Sequence, residues 1–259
     1  MRAVITGATG GIGGATAEAL GRAGYEVIIT GIDLEAGKKV IDKLESQGIK
    51  VHFYACDATN EEQVNETFAK IGEEFGSLDL LVNNVGGLGG RQRVSEMETG
   101  FMRKVMALNF DSVFFNTRAA LPLLKKGKDA SIVNFSTIAV TSGAGIGASI
   151  YAASKGAVQS YTRALAKDLA EFASAPTWFL PAPSTLPSTL RLTAPGGELE
   201  GQHPDEAAGR PPRSGGRDRL PGIGEGFLYH WRSDPDQRRP GIYLRLQAEK
   251  LETGGSLWY

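Results

Sequence analysis

Short apolar runs alternate with amphipathic stretches along the first two thirds of the chain. Ala3, Val4 and Ile5 form an unbroken run within residues 2–5, and similar runs follow at 25–30 (Y-E-V-I-I-T), 50–55, 79–82 (D-L-L-V) and 131–135 (S-I-V-N-F). Continuous runs of this length, rich in valine and isoleucine, predict strands buried on both faces. The segments between them predict helices at 15–22, 34–47, 61–75, about 99–125 and 151–172; Val64, Phe68 and Ile71 recur at helical spacing and Gly48 supplies a stop. Strands alternating with helices predict an α/β fold, a doubly wound parallel sheet with right-handed crossovers. In such a sheet the ligand lies beyond the carboxyl ends of the strands. The chemistry-bearing residues of this chain fall at those ends.

The first of them follow the first strand. Residues 6–13 read T-G-A-T-G-G-I-G and lead straight into a helix. Glycine lets the backbone turn sharply and approach an anion without a Cβ in the way, while a helix N-terminus supplies free N–H groups and positive partial charge. Gly-rich turns also serve as plain connectors, so it is the position at the start of a βαβ unit that points to a phosphate-bearing ligand. A second constellation lies later. Tyr151 and Lys155 are four residues apart, so both project from one helical face. A free phenol, with a reference pKa of about 10, is a poor base at neutral pH. A neighbouring ammonium favours the phenolate and lets the pair exchange a proton with a hydroxyl or carbonyl. The plain alternatives are a half-buried aromatic for Tyr151 and a polar residue meeting backbone groups for Asn109.

The T-G-x-x-x-G-I-G loop, Asp57 after the third strand, N-N-V-G at 83–86, Asn109, the Ser136-Thr137 pair and Y-A-A-S-K at 151–155 occur in one order. In that order they resemble the short-chain dehydrogenase/reductase family, over residues 1 to about 171. The resemblance implies a single Rossmann-type domain that binds NAD or NADP and interconverts a small-molecule secondary alcohol and a ketone. It assigns Tyr151 as general acid/base and Lys155 to the nicotinamide ribose. It further gives a hydroxyl at Ser136 or Thr137 the task of orienting the substrate oxygen, and Asn109 a water relay to Lys155. Cofactor contacts carry over to Gly7, Thr9, Gly10, Gly11, Ile12, Gly13, Asp33, Asp57, Ala58, Asn83, Asn84 and Gly86, besides Tyr151 and Lys155. No metal is implied.

Two positions depart from the family. Thr137 stands where the second of two serines is usual, fourteen residues before Tyr151, and Val85 stands where alanine is usual. The acidic position that holds the adenosine ribose in NAD enzymes aligns with Gly31, with Asp33 two residues on. The basic positions that accommodate a 2′-phosphate align with Gly10 and Ile32, neither of them charged. NAD is therefore the expected cofactor, although Asp33 also suits a plain helix cap.

From about residue 172 the chain changes character. Eleven of its 12 prolines and all three tryptophans lie there, with no valine, asparagine or methionine. Such a stretch is poor material for central strands of a parallel sheet. Residues 176–186 (P-T-W-F-L-P-A-P-S-T-L) back-translate so that another frame reads N-V-V-L-A-G-T-I-D-T. Residues 227–231 (F-L-Y-H-W) likewise permit S-F-I-T-G. Both phrases resemble the family's sixth strand and final strand, in order. Residues 172–259 are accordingly expected to be an irregular, Pro/Arg-rich tail translated out of frame, with shifts near 172 and between about 187 and 200. A non-catalytic dinucleotide-binding module, or a defective product of a frame-shifted gene, are the alternative readings.

Composition adds little more. A net charge of −1 over 259 residues gives no reason to expect nucleic acid or an anionic membrane as partner. A single cysteine, Cys56, fits a reducing compartment. No apolar run approaches membrane-spanning length and the first strand starts at residue 2, so a cytoplasmic location is expected. A homo-oligomer, dimer or tetramer, is expected if the C-terminal third is in frame.

Overall fold

Five parallel strands carry the fold: β1 (Arg2–Ile5), β2 (Glu26–Gly31), β3 (Val51–Ala55), β4 (Leu80–Asn83) and β5 (Ser131–Thr137). Their order in the sheet is β3-β2-β1-β4-β5, so the chain reverses direction of growth between β1 and β4. The computed structural model describes residues 1–169 and the backbone of three further strands, Thr177–Ala182, Arg191–Thr193 and Tyr243–Arg245.

Successive strand residues point to opposite faces, and both faces are apolar. Ala3, Ile5, Val27, Ile29 and Val82 pack on one side with Ala17 and Leu20 of α1 (Gly11–Arg22) and Leu44 of α2 (Leu34–Glu45). Val4, Ile28, Leu81 and Ile132 pack on the other. There they meet Val64, Phe68 and Ile71 of α3 (Glu61–Phe75), Leu123 and Leu124 of α5 (Ser112–Leu124), and Leu165 of α7 (Ser149–Asp168). This two-sided burial is why the strands read as continuous apolar runs.

The predicted helix over 99–125 is interrupted. α4 (Thr99–Met106) passes through a single π turn, Ala107–Asp111, before α5 begins. The extra residue in that turn carries Asn109, which is fully buried. π turns insert one residue into a helix and re-aim the side chain there. A short helix α6 (Ala139–Ser142), absent from the sequence reading, follows β5.

Asn83 and Asn134 sit side by side on β4 and β5, wholly buried. Asn83 donates to Asn134 Oδ1 (2.8 Å) and Thr117 Oγ1 (3.0 Å), and Asn134 donates to Thr162 Oγ1 (2.9 Å). The chain of bonds ties β4, β5, α5 and α7 beneath the site.

Part of the expected irregular tail is regular. Thr177–Ala182 runs as β6, parallel to β5 and at the edge of the described sheet, where the open edge of β5 offers unpaired N–H and C=O groups. Its proline, Pro181, is of the kind tolerated on edge strands. β7 (Arg191–Thr193) and β8 (Tyr243–Arg245) pair antiparallel. The rest of the expected tail, and the phrases at residues 183–186 and 227–231, lie outside the described residues.

Candidate active site

The loop between β1 and α1 is built around missing side chains. Gly7 adopts φ +64°, and a Cβ there would lie 2.8 Å from Val85 Cγ2. At Gly13 a Cβ would lie 2.7 Å from Ala8 Cα and 2.8 Å from the Gly7 carbonyl oxygen, so α1 presses directly on the loop. Asn84 fixes the loop from β4: its Nδ2 donates to the Thr6 and Gly7 carbonyls, both at 3.0 Å, and its backbone N–H donates to Thr6 Oγ1 at 3.1 Å. Above this clamp the loop is open. Gly10 and Gly11 are exposed, no atom lies within 4 Å of where their Cβ atoms would be, and Gly10 caps α1 without a side chain. Among the described residues, no atom lies where a Cβ at Gly10 or Gly11 would be, so the first-turn N–H groups of α1 are available to an anion such as a phosphate.

The adenosine side is more mixed. A Cβ at Gly31 would lie 2.4 Å from Thr9 Cγ2, so an acidic side chain has no room there while Thr9 holds its place. Asp33 is exposed and caps α2, its Oδ1 accepting from the Ala36 N–H at 2.9 Å. Asp57 sits beyond β3, its Oδ1 accepting from the N–H and hydroxyl of Thr59, with Ala58 buried behind it. Ile32 and Leu34 flank Asp33 with exposed apolar side chains. Asn83 does not join this group: its Nδ2 donates to Thr117 and Asn134 inside the fold, and its Oδ1 is buried with no hydrogen-bond partner among the described residues.

On the nicotinamide side three elements meet at one glycine. A Cβ at Gly86 would lie 2.8 Å from Lys155 Nζ and 2.9 Å from Asn109 Oδ1. The Asn109 amide grips the neighbouring residue in both directions, accepting from the Gly87 N–H and donating to the Gly87 carbonyl, each at 2.9 Å. Lys155 is 4% exposed and donates to the Phe135 carbonyl at 3.0 Å. Burial pushes its ammonium down to about 8, the desolvated charge being the cause. Tyr151, half-buried, stands one turn earlier on α7.

The two hydroxyls at the end of β5 differ. Ser136 is buried; its hydroxyl donates to the Lys155 carbonyl at 3.4 Å and accepts from Gln159 Nε2 at 3.2 Å. Thr137 is half-exposed, and its Oγ1 accepts from the Ala139 N–H at 3.2 Å, leaving its proton to be donated outward. Gln159, the Phe135 carbonyl and Gly87 carry no sequence signal of their own, since each acts through a contact across the fold. Among the described residues no group of three His, Cys, Asp or Glu side chains is placed to hold a metal ion.

The family model for short chain dehydrogenases matches residues 1–173. The chain belongs to the short-chain dehydrogenase family. It is 37% identical over 191 residues to a 3beta-hydroxysteroid dehydrogenase of Mediterraneibacter gnavus, covering 74% of this chain and 68% of that one. To an NADP-dependent (R)-specific alcohol dehydrogenase of Lentilactobacillus kefiri it is 36% identical, over 65% of this chain and 66% of the relative. The crystal structure of NADH-dependent reductase A1-R′ complexed with NAD superposes with a TM-score of 0.65 at 33% identity, over 69% of this chain and 76% of that one. Like these short-chain dehydrogenases, the chain is an NAD(P)-dependent oxidoreductase, and the open glycine cradle fits the dinucleotide.

The cradle separates two roles that glycines share in this loop. Gly13→Ala forces a methyl onto backbone and should destabilise the fold by roughly 1–3 kcal/mol. Gly10→Ala enters open space and should leave thermal unfolding unmoved while weakening dinucleotide binding, read by fluorescence titration. Equal effects on unfolding would show that the two glycines are not distinguished in this way.

The buried Lys155 predicts a pH dependence of stability. Below about pH 8 folded and unfolded chains both hold the proton, and the folded state bears the cost of a buried charge. Between about 8 and the ordinary 10.5 the unfolded chain still binds a proton that the folded one has released, so stability rises with pH. Relative to Lys155→Met, the unliganded parent should gain roughly 2–4 kcal/mol between pH 7 and 10.5 in chemical denaturation. A pH-independent difference between the two would count against a desolvated ammonium.

Proposed function

We propose that the protein interconverts a small secondary alcohol and a ketone, with Tyr151 moving the proton and Thr137 holding the substrate oxygen. The observation that carries this reading is the unequal commitment of the β5 hydroxyls. Ser136 is used up inside the fold, whereas Thr137 keeps a proton to donate at the surface of the site. A bound nicotinamide supplies or accepts the hydride. In reduction the Tyr151 hydroxyl gives its proton to the carbonyl oxygen, and in oxidation the phenolate takes one from the alcohol. Lys155, one helical turn away on the same face of α7, would hold the ribose hydroxyls of the nicotinamide half. Asn109 fixes Gly87, and with it the backbone beside the place a nicotinamide would take, and it would support a water path to Lys155.

For the cofactor, NAD is the preferred choice. No side chain fits at Gly31 and no cation replaces Gly10 or Ile32, so the Asp33 carboxylate is the group left to meet an adenosine ribose. The reaction takes place in the cytoplasm on a small molecule.

With protein from the native gene, Tyr151→Phe should lower turnover by about a hundredfold or more while dinucleotide binding changes little. Thr137→Ala should cost more than Ser136→Ala, and Thr137→Ser should retain activity. NADH should serve at least as well as NADPH. Parent-like turnover in Tyr151→Phe, or the opposite ranking of the two alanine variants, would move the roles elsewhere.

A second reading concerns the tail. The family match ends at residue 173, at the break in composition, which supports translation out of frame from about residue 172. Sequencing the native gene should reveal two small compensating shifts that restore a family-like C-terminus. Peptides from the native protein containing Trp178, Trp231 and Trp258 as written would refute it.

A further inference from the structure

Beside the first turn of α7 lies an open cavity of about 480 Å³. One wall is the segment after β4, with Arg93, Val94 and Ser95; the other is residues 143–147 with Ser149. The two walls are stitched together. The Gln92 N–H donates to the Gly147 carbonyl at 3.0 Å, and the Arg91 guanidinium donates to the Ile146 carbonyl at 3.0 Å. In the second wall Gly143, Ala144 and Gly147 all take positive φ, and Ala144 does so without being glycine.

The two neighbouring arginines are used differently. Arg91 is spent as a brace, while the guanidinium of Arg93 has no ion pair or hydrogen bond among the described residues; only its carbonyl is engaged, accepting from the Glu96 N–H at 2.9 Å. Among the described residues that line the cavity, Arg93 is the one charged side chain and no carboxylate faces it. The remaining side chains offer two serine hydroxyls and three apolar groups, the Ala144 methyl, Val94 at 77% and Ile146 at 75% exposure. An unpaired guanidinium beside two hydroxyl donors suits a carboxylate, which takes two parallel hydrogen bonds from arginine. Exposed apolar side chains beside that charge, in a cavity that reaches Ser149 two residues before Tyr151 on α7, suit a hydrocarbon body.

We propose that Arg93 is a specificity residue, and that the substrate is a ketone or secondary alcohol bearing a carboxylate remote from the reacting carbon. This rests on the oxidoreductase reading above and adds the substrate class to it. The carboxylate pairs with Arg93, helped by Ser95 or Ser149, the chain lies along Val94 and Ile146, and the carbonyl reaches Thr137 and Tyr151.

The test uses protein from the native gene, with linear oxo-acids of four to eight carbons and their methyl esters as probes. The parent should show a kcat/KM for the best acid about fivefold to tenfold above that of its ester. That ratio should fall to near one in Arg93→Ala, reverse in Arg93→Glu, and recover in part in Arg93→Lys. The changes should lie in KM, and the acid preference should shrink with added salt. Esters reduced as well as acids by the parent, or a ratio untouched in all three variants, overturns the proposal and leaves the oxidoreductase reading intact. Hydride transfer to none of these probes also overturns the proposal; a plain secondary alcohol assayed beside them tests the alcohol–ketone reading separately, and that reading falls only if it too gives no hydride transfer.

Discussion

The structure depends on one close approach, that of the first turn of α1 to the end of β1. Gly13 lies so near Ala8 and Gly7 that no Cβ can enter, and Gly7 itself sits against Val85 in a left-handed conformation. This contact sets the helix axis over the sheet, and it aims the free N–H groups of α1 at the space above Gly10. The same contact positions Asn84, whose amide can bridge Thr6 and Gly7 only because both carbonyls turn toward β4. A cofactor cradle and a helix–sheet joint are here one object. Loosening the joint would spoil both.

A second constraint comes from charge. Lys155 is carried into the interior by the amphipathic face of α7, and the groups near it are a backbone carbonyl and the amide of Asn109 rather than a carboxylate. An ammonium held in this way is costly and easily perturbed. That is a poor arrangement for stability, and the fold bears its cost at the end of β5. The buried Asn83–Asn134–Thr162 chain supports it from below, since those bonds lock β5 against the helix that bears Lys155. Polar residues at the carboxyl ends of β4 and β5 therefore do two jobs: those facing outward serve the site, and those facing inward hold its floor.

Much of the scaffold was legible because the parallel strands are buried on both sides and announce themselves as apolar runs. α3 was readable to the residue, from Glu61 to Phe75, because Asn60 caps it and Gly76 ends it. The π turn at Asn109 was not, since nothing in A-L-N-F-D distinguishes it from an ordinary helical turn; what favours it is the pair of bonds Asn109 makes with Gly87. Asn83 carries over as a cofactor contact from the N-N-V-G motif, and the fold turns its side chain inward to Thr117 and Asn134 while Asn84 turns to the glycine loop, as strand alternation requires. Ser136 and Thr137 could not be ranked from sequence for a similar reason. Only the packing of Gln159 and the Lys155 carbonyl shows which hydroxyl is spent. The strand at Thr177–Ala182 was missed because its proline and composition argue against a central strand, and it is an edge strand among the described residues.

The segment that follows β4 joins these features into one working unit. Asn84 holds the glycine loop, Gly86 leaves room for Lys155 and Asn109, Gly87 is gripped by Asn109, and Arg91 and Gln92 fasten residues 146 and 147. The segment from residue 84 to residue 92 thus connects the glycine loop, Lys155 and the cavity wall. Its hydrogen bonds from Asn84, Gly87, Arg91 and Gln92 are short and directional, and they fix its backbone at both ends. A substrate group held at Arg93 therefore bears on the same backbone that sets Gly86 beneath Lys155. Selectivity for the far end of a substrate and placement of its reacting carbon share that backbone, and because hydrogen bonds hold it fixed, a poorly anchored substrate should lose affinity rather than turnover.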